Sequence, residues 1–415
     1  MGPRAVRPVR LRRRSTVRPP RRRAGGETRT TEILYDAAGN VEHVISPLQQ
    51  TTSYAHDPNG RVTSATTPDN HVWSFQHDPA GNVTGVVPPG PGGDHHFAYD
   101  SRDLVSQWAP ADLGPGDEAT DYAYSLDAEP VLVTQADGTE VELVFDPVTG
   151  RLMAVTTPTG ATSFTYFPNA GAAPGKLESA TSADGVAQSF AYAGALVTDV
   201  AWTGPVPGAL HYTYDDQFRT KSETTGNTAA VVRSWNLDGQ LVQSGDLQLT
   251  YDPATGMFQG TTLGVVHDGV VWSGFGEADS YTAALSSPAS PLLARTFERD
   301  ALGRLLVVTE TLGGGSPVET SYGYDLSGRL TDVWQDGALI EHYSHDAHGN
   351  RTSTELAGQP AVAATFDAQD RILTFGAATY THAITGERLS KTTPAGTTLY
   401  NHDTLGRLAS VTLPD

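Results

Sequence analysis

An aromatic residue, an Asp, two variable residues, a Gly, an Arg or Asn and an aliphatic recur along almost the whole chain, and this repeat decides what the chain can fold into. Clear copies are Tyr35-Asp36 with Gly39-Asn40-Val41, Tyr54 and Asp57 with Gly60-Arg61-Val62, and Phe75 and Asp78 with Gly81-Asn82-Val83. Phe145-Asp146 leads to Gly150-Arg151-Leu152, Phe297 and Asp300 to Gly303-Arg304-Leu305, and Tyr324-Asp325 to Gly328-Arg329-Leu330. Tyr343 and Asp346 precede Gly349-Asn350, and Tyr400 and Asp403 precede Gly406-Arg407-Leu408. The glycines at 39, 60 and 81 are 21 residues apart, as are those at 328 and 349. Worn copies at Tyr99-Asp100, Tyr214-Asp215, Trp235 with Asp238-Gly239, Tyr251-Asp252 and Phe366-Asp367 fill the gaps.

The residue types read as turn chemistry. An Asp at a strand end accepts hydrogen bonds from the backbone N–H groups that follow it. Gly supplies the positive φ of a tight turn. Thr67-Pro68-Asp69-Asn70, Thr157-Pro158-Thr159-Gly160 and Thr393-Pro394-Ala395-Gly396 mark a second turn between successive copies. Pro presets φ there, and the last residue accepts left-handed geometry. Between the turns the chain alternates as a strand does, for example in Thr162-Ser163-Phe164-Thr165-Tyr166, and no helical period is sustained. The unit is therefore a β-hairpin. A lone hairpin is marginal in water, so the units must stack, and a long twisted sheet must then coil. The expected fold is all-β: tandem hairpins of about 20–21 residues in a twisted sheet that coils or closes.

Pairs such as Phe97/Tyr99, Phe164/Tyr166, Phe190/Tyr192, Tyr212/Tyr214 and Tyr322/Tyr324 lie two residues apart and share a strand face, which predicts an aromatic ladder. His takes the second place in Tyr54/His56, Phe75/His77, Tyr343/His345, Tyr380/His382 and Tyr400/His402.

Charge narrows the partners. The net charge is −20, yet residues 1–26 hold ten Arg and no acid, so the body is more acidic than the total suggests. An acidic body does not bind phosphate backbones, and no apolar run spans a bilayer. The Arg-rich head, residues 1–29, lacks the apolar segment of a secretory or twin-Arg signal and reads as a disordered tail ahead of the array at 30–415. The chain has no Cys, which excludes a disulfide framework and thiolate metal sites.

The Asp-x-x-Gly-Arg-Leu units at 300–305, 325–330 and 403–408 resemble the RHS/YD-repeat family, and the resemblance covers about residues 30–415. Its relatives include animal teneurins and bacterial toxin-complex components, whose repeats spiral into a hollow β-shell that can enclose a toxic domain. The resemblance implies a hollow, incomplete YD-shell: a non-catalytic shell segment, secreted or at the cell surface. Its partner would be an enclosed or neighbouring polypeptide, or a carbohydrate. Toxin-type members continue into a self-cleaving core and an effector; this sequence stops at Leu413-Pro414-Asp415, within a turn, and is expected to be truncated before them.

Chemistry beyond a scaffold finds little support. His342, His345 and His348 are spaced at i, i+3, which puts neighbours on opposite strand faces and suits a metal poorly. His95-His96 is an isolated pair. The repeated Asp residues lack the nine-residue period of calcium rolls, and no carboxylate is singled out as a glycosidase acid. Neither a cofactor nor a metal is expected. Trp73, Trp108, Trp202, Trp235, Trp272 and Trp334 could stack on sugars in an adhesin, although large aromatics more often pack within a fold. An enzyme on a β-propeller, whose blades take two such units, ranks last because the strong and worn copies follow no odd–even alternation.

Overall fold

The structure is a computed structural model and describes residues 28–90, 92–114, 119–171 and 173–414. Apart from its last two residues, the Arg-rich head lies outside the described residues.

Thirty-six strands, from Glu32–Tyr35 to Leu408–Thr412, form an unbroken meander in which each strand pairs antiparallel with the next. The described residues contain no helix. Pairing that never breaks into four-stranded groups leaves no blade boundaries, so the architecture is not a propeller.

The turns segregate to two edges of this strip. Along one, the Asp edge, each hairpin closes at the motif Asp or its replacement, with the Asp36 N–H bonded to the Asn40 carbonyl and the Gly39 N–H to the Asp36 carbonyl. The opposite edge carries the second turns. The two edges differ in register. Every hairpin on the Asp edge is bulged at or next to its closing residue, as where Leu34 pairs with His43 but Tyr35 with Val41. On the opposite edge a bulge appears only at Ala283/Ala284 and Val333/Trp334 among the described residues. The repeat pattern did not announce this. Bulges bend a strand and raise its twist, so bulging one edge throughout rolls the strip.

The rolled strip meets itself. Contacts recur between residues 245–269 apart: Arg29 with Glu277, Asp69 with Ser327 and Arg329, Ala111 with Gln369, and Gln135 and Thr159 with Thr404. One lap is therefore roughly twelve 21-residue units, and the array makes about one and a half laps. At this seam the Asp edge of the second lap sits on the opposite edge of the first. No strand pairing crosses it among the described residues; each of these ties uses at least one side chain.

A single-layer wall has a thin core. Among the described residues the buried aliphatic side chains are those of Ala111, Ala119, Val141, Ala173, Val333, Ala364 and Ala378, and no large side chain is wholly enclosed. Strands alternate between a half-buried face and an exposed one, as along Gly160–Tyr166, where Phe164 and Tyr166 are half-buried and Ser163 and Thr165 exposed. The exposed face carries cross-strand polar pairs such as Thr165–Ser179, Thr365–Thr374 and Thr381–Ser390.

Candidate functional site

The Asp edge and the seam are where the repeated residues converge. The Asp36 carboxylate accepts the Ala38 and Asn40 N–H groups at 2.9 Å each, and the Asn40 side-chain amide at 3.1 Å. Asp57 accepts the Asn59 and Arg61 N–H groups at 2.9 and 3.0 Å and Arg61 Nε at 2.6 Å. Asp300, Asp325 and Asp403 repeat this with Arg304, Arg329 and Arg407. Asp78 and Asp346 take the N–H groups of Gly81 and Gly349 and the following Asn side chains. Asp146 closes a turn one residue longer, accepting from Val148 and Thr149. The glycines at 39, 60, 81, 150, 303, 328, 349 and 406 all have positive φ. Tyr35 and Tyr324 close their hairpins directly, whereas Tyr54 stands two residues before Asp57's hairpin closes at His56.

Hydrogen bonds to the charged form hold Asp36, Asp57, Asp78, Asp146, Asp300, Asp325 and Asp403 ionised. The Asn40 N–H holds Asp36 below the usual range, the Arg61 N–H does so for Asp57, and the Arg407 side chain for Asp403. Asp300 is the most buried, at 8% exposure; burial would raise it, but Arg304 outweighs that and its pKa is lowered.

Two kinds of contact tie units to their neighbours. Arg61 Nη1 donates to the Asp78 carbonyl at 2.7 Å and Arg329 Nη1 to that of Asp346 at 2.9 Å, each 17 residues on. The closing tyrosines reach backwards: Tyr99 donates to the Val83 carbonyl, Tyr214 to Val197 and Tyr324 to Leu305. The Trp235 and Trp272 indole N–H groups do the same with Thr220 and Phe258. Cations also lie against these rings: Arg304 is 4.5 Å from the Tyr324 ring centre and Arg388 4.3 Å from that of Tyr400. The role of the motif Arg in these ties is not evident from the repeat's turn chemistry. Its spacing, one unit before the next aromatic, was the available signal.

The seam has its own chemistry. Asp69 accepts hydrogen bonds from Ser327 and Arg329 of the second lap and from Thr67, with His71 Nδ1 at 3.0 Å. Burial opposes the charge, but the Ser327 and Thr67 hydroxyls outweigh it and hold Asp69 at about 2. Arg29 bonds Glu277 at 2.6 Å and lies over Phe275. His348 packs against the first-lap glycines; a Cβ on Gly93 would lie 2.7 Å from its ring.

The three spaced histidines part company. His342 pairs with Asp332 at 2.8 Å, His348 with Asp370 at 3.0 Å, and burial lowers the pKa of His345. Among the described residues no group of three or more His, Asp or Glu is arranged to hold a metal ion. All six tryptophans are half-buried. No helix among the described residues is long and apolar enough to cross a membrane, which says nothing of a β-barrel.

A single sheet of hairpin units, stapled along one edge and rolled onto itself, defines a shell scaffold. Residues 23–415 match the Teneurin YD-shell family, and the chain belongs to it. Its fold is similar to that in a crystal structure of TcdB2–TccC3 (TM-score 0.69, 14% identity, covering 92% of this chain and 26% of that one). It is also similar to the structure of the Photorhabdus luminescens Tc holotoxin pore (TM-score 0.72, 15% identity, 94% of this chain and 22% of that one). A TcdB2–TccC3–Cdc42 structure matches with TM-score 0.66 at 14% identity over 92% of this chain and 26% of that one. The chain thus spans about a quarter of the length of these proteins. No curated protein sequence matches it.

Proposed function

We propose that the chain is a non-catalytic wall segment, acting outside the cell or at its surface, that encloses or displays a polypeptide partner. The observation that carries this reading is the seam: edge-to-edge contacts 245–269 residues apart hold a one-layer sheet, with only a thin core, rolled onto itself. Such a wall spends its residues on surrounding a space. The family, and the toxin-complex structures that share the fold, support the same reading. The motif residues at the Asp edge act in it as wall-building groups, because their carboxylates are saturated by turn N–H groups and Arg.

The test is electron microscopy of the full chain recovered from the medium or surface fraction of its own cells. A curved wall with density inside it is expected. A solid globule or rod would overturn the shell reading, and an empty wall would overturn enclosure of a partner.

A further inference from the structure

The seam buries only part of each edge. It covers the opposite edge from about residue 29 to residue 160 with the Asp edge of 275–404. Among the described residues, no second lap sits on the first-lap Asp edge or on the opposite edge beyond the seam.

The apolar side chains at the turn tips record the difference. Leu326 follows its closing Asp325 directly and is 54% exposed; Leu302, two residues after Asp300, is 40% exposed. Both line a hollow shared with Pro47, Pro68 and Val44 of the first lap. Leu126 and Leu237 occupy the Leu326 position in first-lap turns, after Ser125 and Asn236, and are 98% and 101% exposed. The opposite edge beyond the seam is also apolar at its tips, with Val206 at 79% and Leu263 at 51%. Isolated exposed apolar residues are ordinary, but these sit at the same turn positions that the seam covers elsewhere.

We propose that the two free edges join between copies: the first-lap Asp edge of one chain seats on the free opposite edge of a second, repeating the contact made internally at the seam. The occupant follows from continuity with that seam, which shows an edge bearing tip leucines docking onto an edge of second turns. Charge fits as well. The seam sets Arg329 on Asp69, and the free edges offer Arg102 on one side and Asp246 on the other. The contact is heterologous, so each copy keeps one free edge of either kind and the stack stays open. It depends on the seam geometry and not on what the shell encloses. A failure here would leave the shell reading intact.

The experiment is sedimentation velocity on the full chain up to about 100 μM, where a contact of ten-micromolar Kd is largely formed. One variant carries Leu126→Asp and Leu237→Asp, the other Val206→Asp and Leu263→Asp; circular dichroism checks that both fold. Wild type should show mass rising with concentration, and more so with salt, because the copies share an acidic charge. Each variant alone should remain a monomer. Mixed together they should form a dimer and nothing larger, since each supplies the edge the other lacks. A wild type that stays monomeric, variants that associate as well as wild type, or a mixture that stays monomeric would each overturn the proposal.

Discussion

Asp69 and Ser327 stand 258 residues apart in sequence and share a hydrogen bond across the seam, the serine hydroxyl donating to the carboxylate. Removing the acceptor should loosen the laps without melting the sheet. For Asp69→Ala the expected loss is about 1–2 kcal/mol, the low end for charged hydrogen bonds, because Arg329 keeps its bond to Asp325. Hydrogen exchange should rise together at 67–71 and 325–329 while the ladder between them stays protected. Faster exchange confined to one of the two segments would argue against a tie between them.

Acid should open the same joint. Asp69 is held at about 2 in the folded chain against an ordinary 3.8, so the folded state binds fewer protons. Its contribution is complete above pH 3.8 and is lost as pH falls through about 2. Arg329 and His71 face it as cations or donors, and the lowered carboxylates of Asp57, Asp300 and Asp325 act in the same direction. X-ray scattering should show the particle expanding over that interval. An Asp69→Asn variant, unable to titrate, should flatten part of the profile; an unchanged profile would assign the expansion elsewhere.

The glycine position of worn turns keeps its geometry without glycine. Ala128 and Phe218 stand there with φ of 64° and 63°. Left-handed backbone costs an L-residue about 1–2 kcal/mol. Ala128→Gly and Phe218→Gly should therefore each raise stability by about 0.5–1 kcal/mol in thermal melts, the gain reduced by the entropy of a freer unfolded chain. A lower melting temperature in both would show that the side chain holds the turn.

Gly93 and Gly138 separate backbone strain from the seam. Both have positive φ, 87° and 79°, but a Cβ on Gly138 meets nothing, whereas one on Gly93 runs into His348 and Pro88. Substituting Ala should cost about 1 kcal/mol at Gly138 and about 2–4 kcal/mol at Gly93, where overpacking adds to strain. Equal losses in chemical denaturation would mean that His348 yields freely.

The sheet was legible in the sequence because strand and turn signals are local. Asp-x-x-Gly and Thr-Pro turns at regular spacing, with alternation between them, lead to a meander of hairpins and nothing else. The bulge beside each closing residue was not legible, since Leu34 and Tyr35 look alike to a two-residue period. Nor was the seam. Ser327 and Asp69 belong to units about a lap apart, and no repeat pattern says which unit will lie over which. The Arg staple falls between these cases: its spacing was visible, but reaching the next turn's carbonyl depends on how tightly consecutive hairpins pack. Left-handed residues other than glycine, such as Asp103 and Phe218, were hidden because the fold imposes that conformation on them.

The lap offset also constrains how such a wall can change over generations. A unit added before Arg29 or after Thr404 lengthens the strip and leaves the existing seam partners in place. A unit duplicated between Asp69 and Ser327 would slide every later tip by one position, setting Ser327 against a neighbour with a different side chain. Growth should therefore be tolerated at the ends, whereas insertion in the middle requires changes on both laps at once.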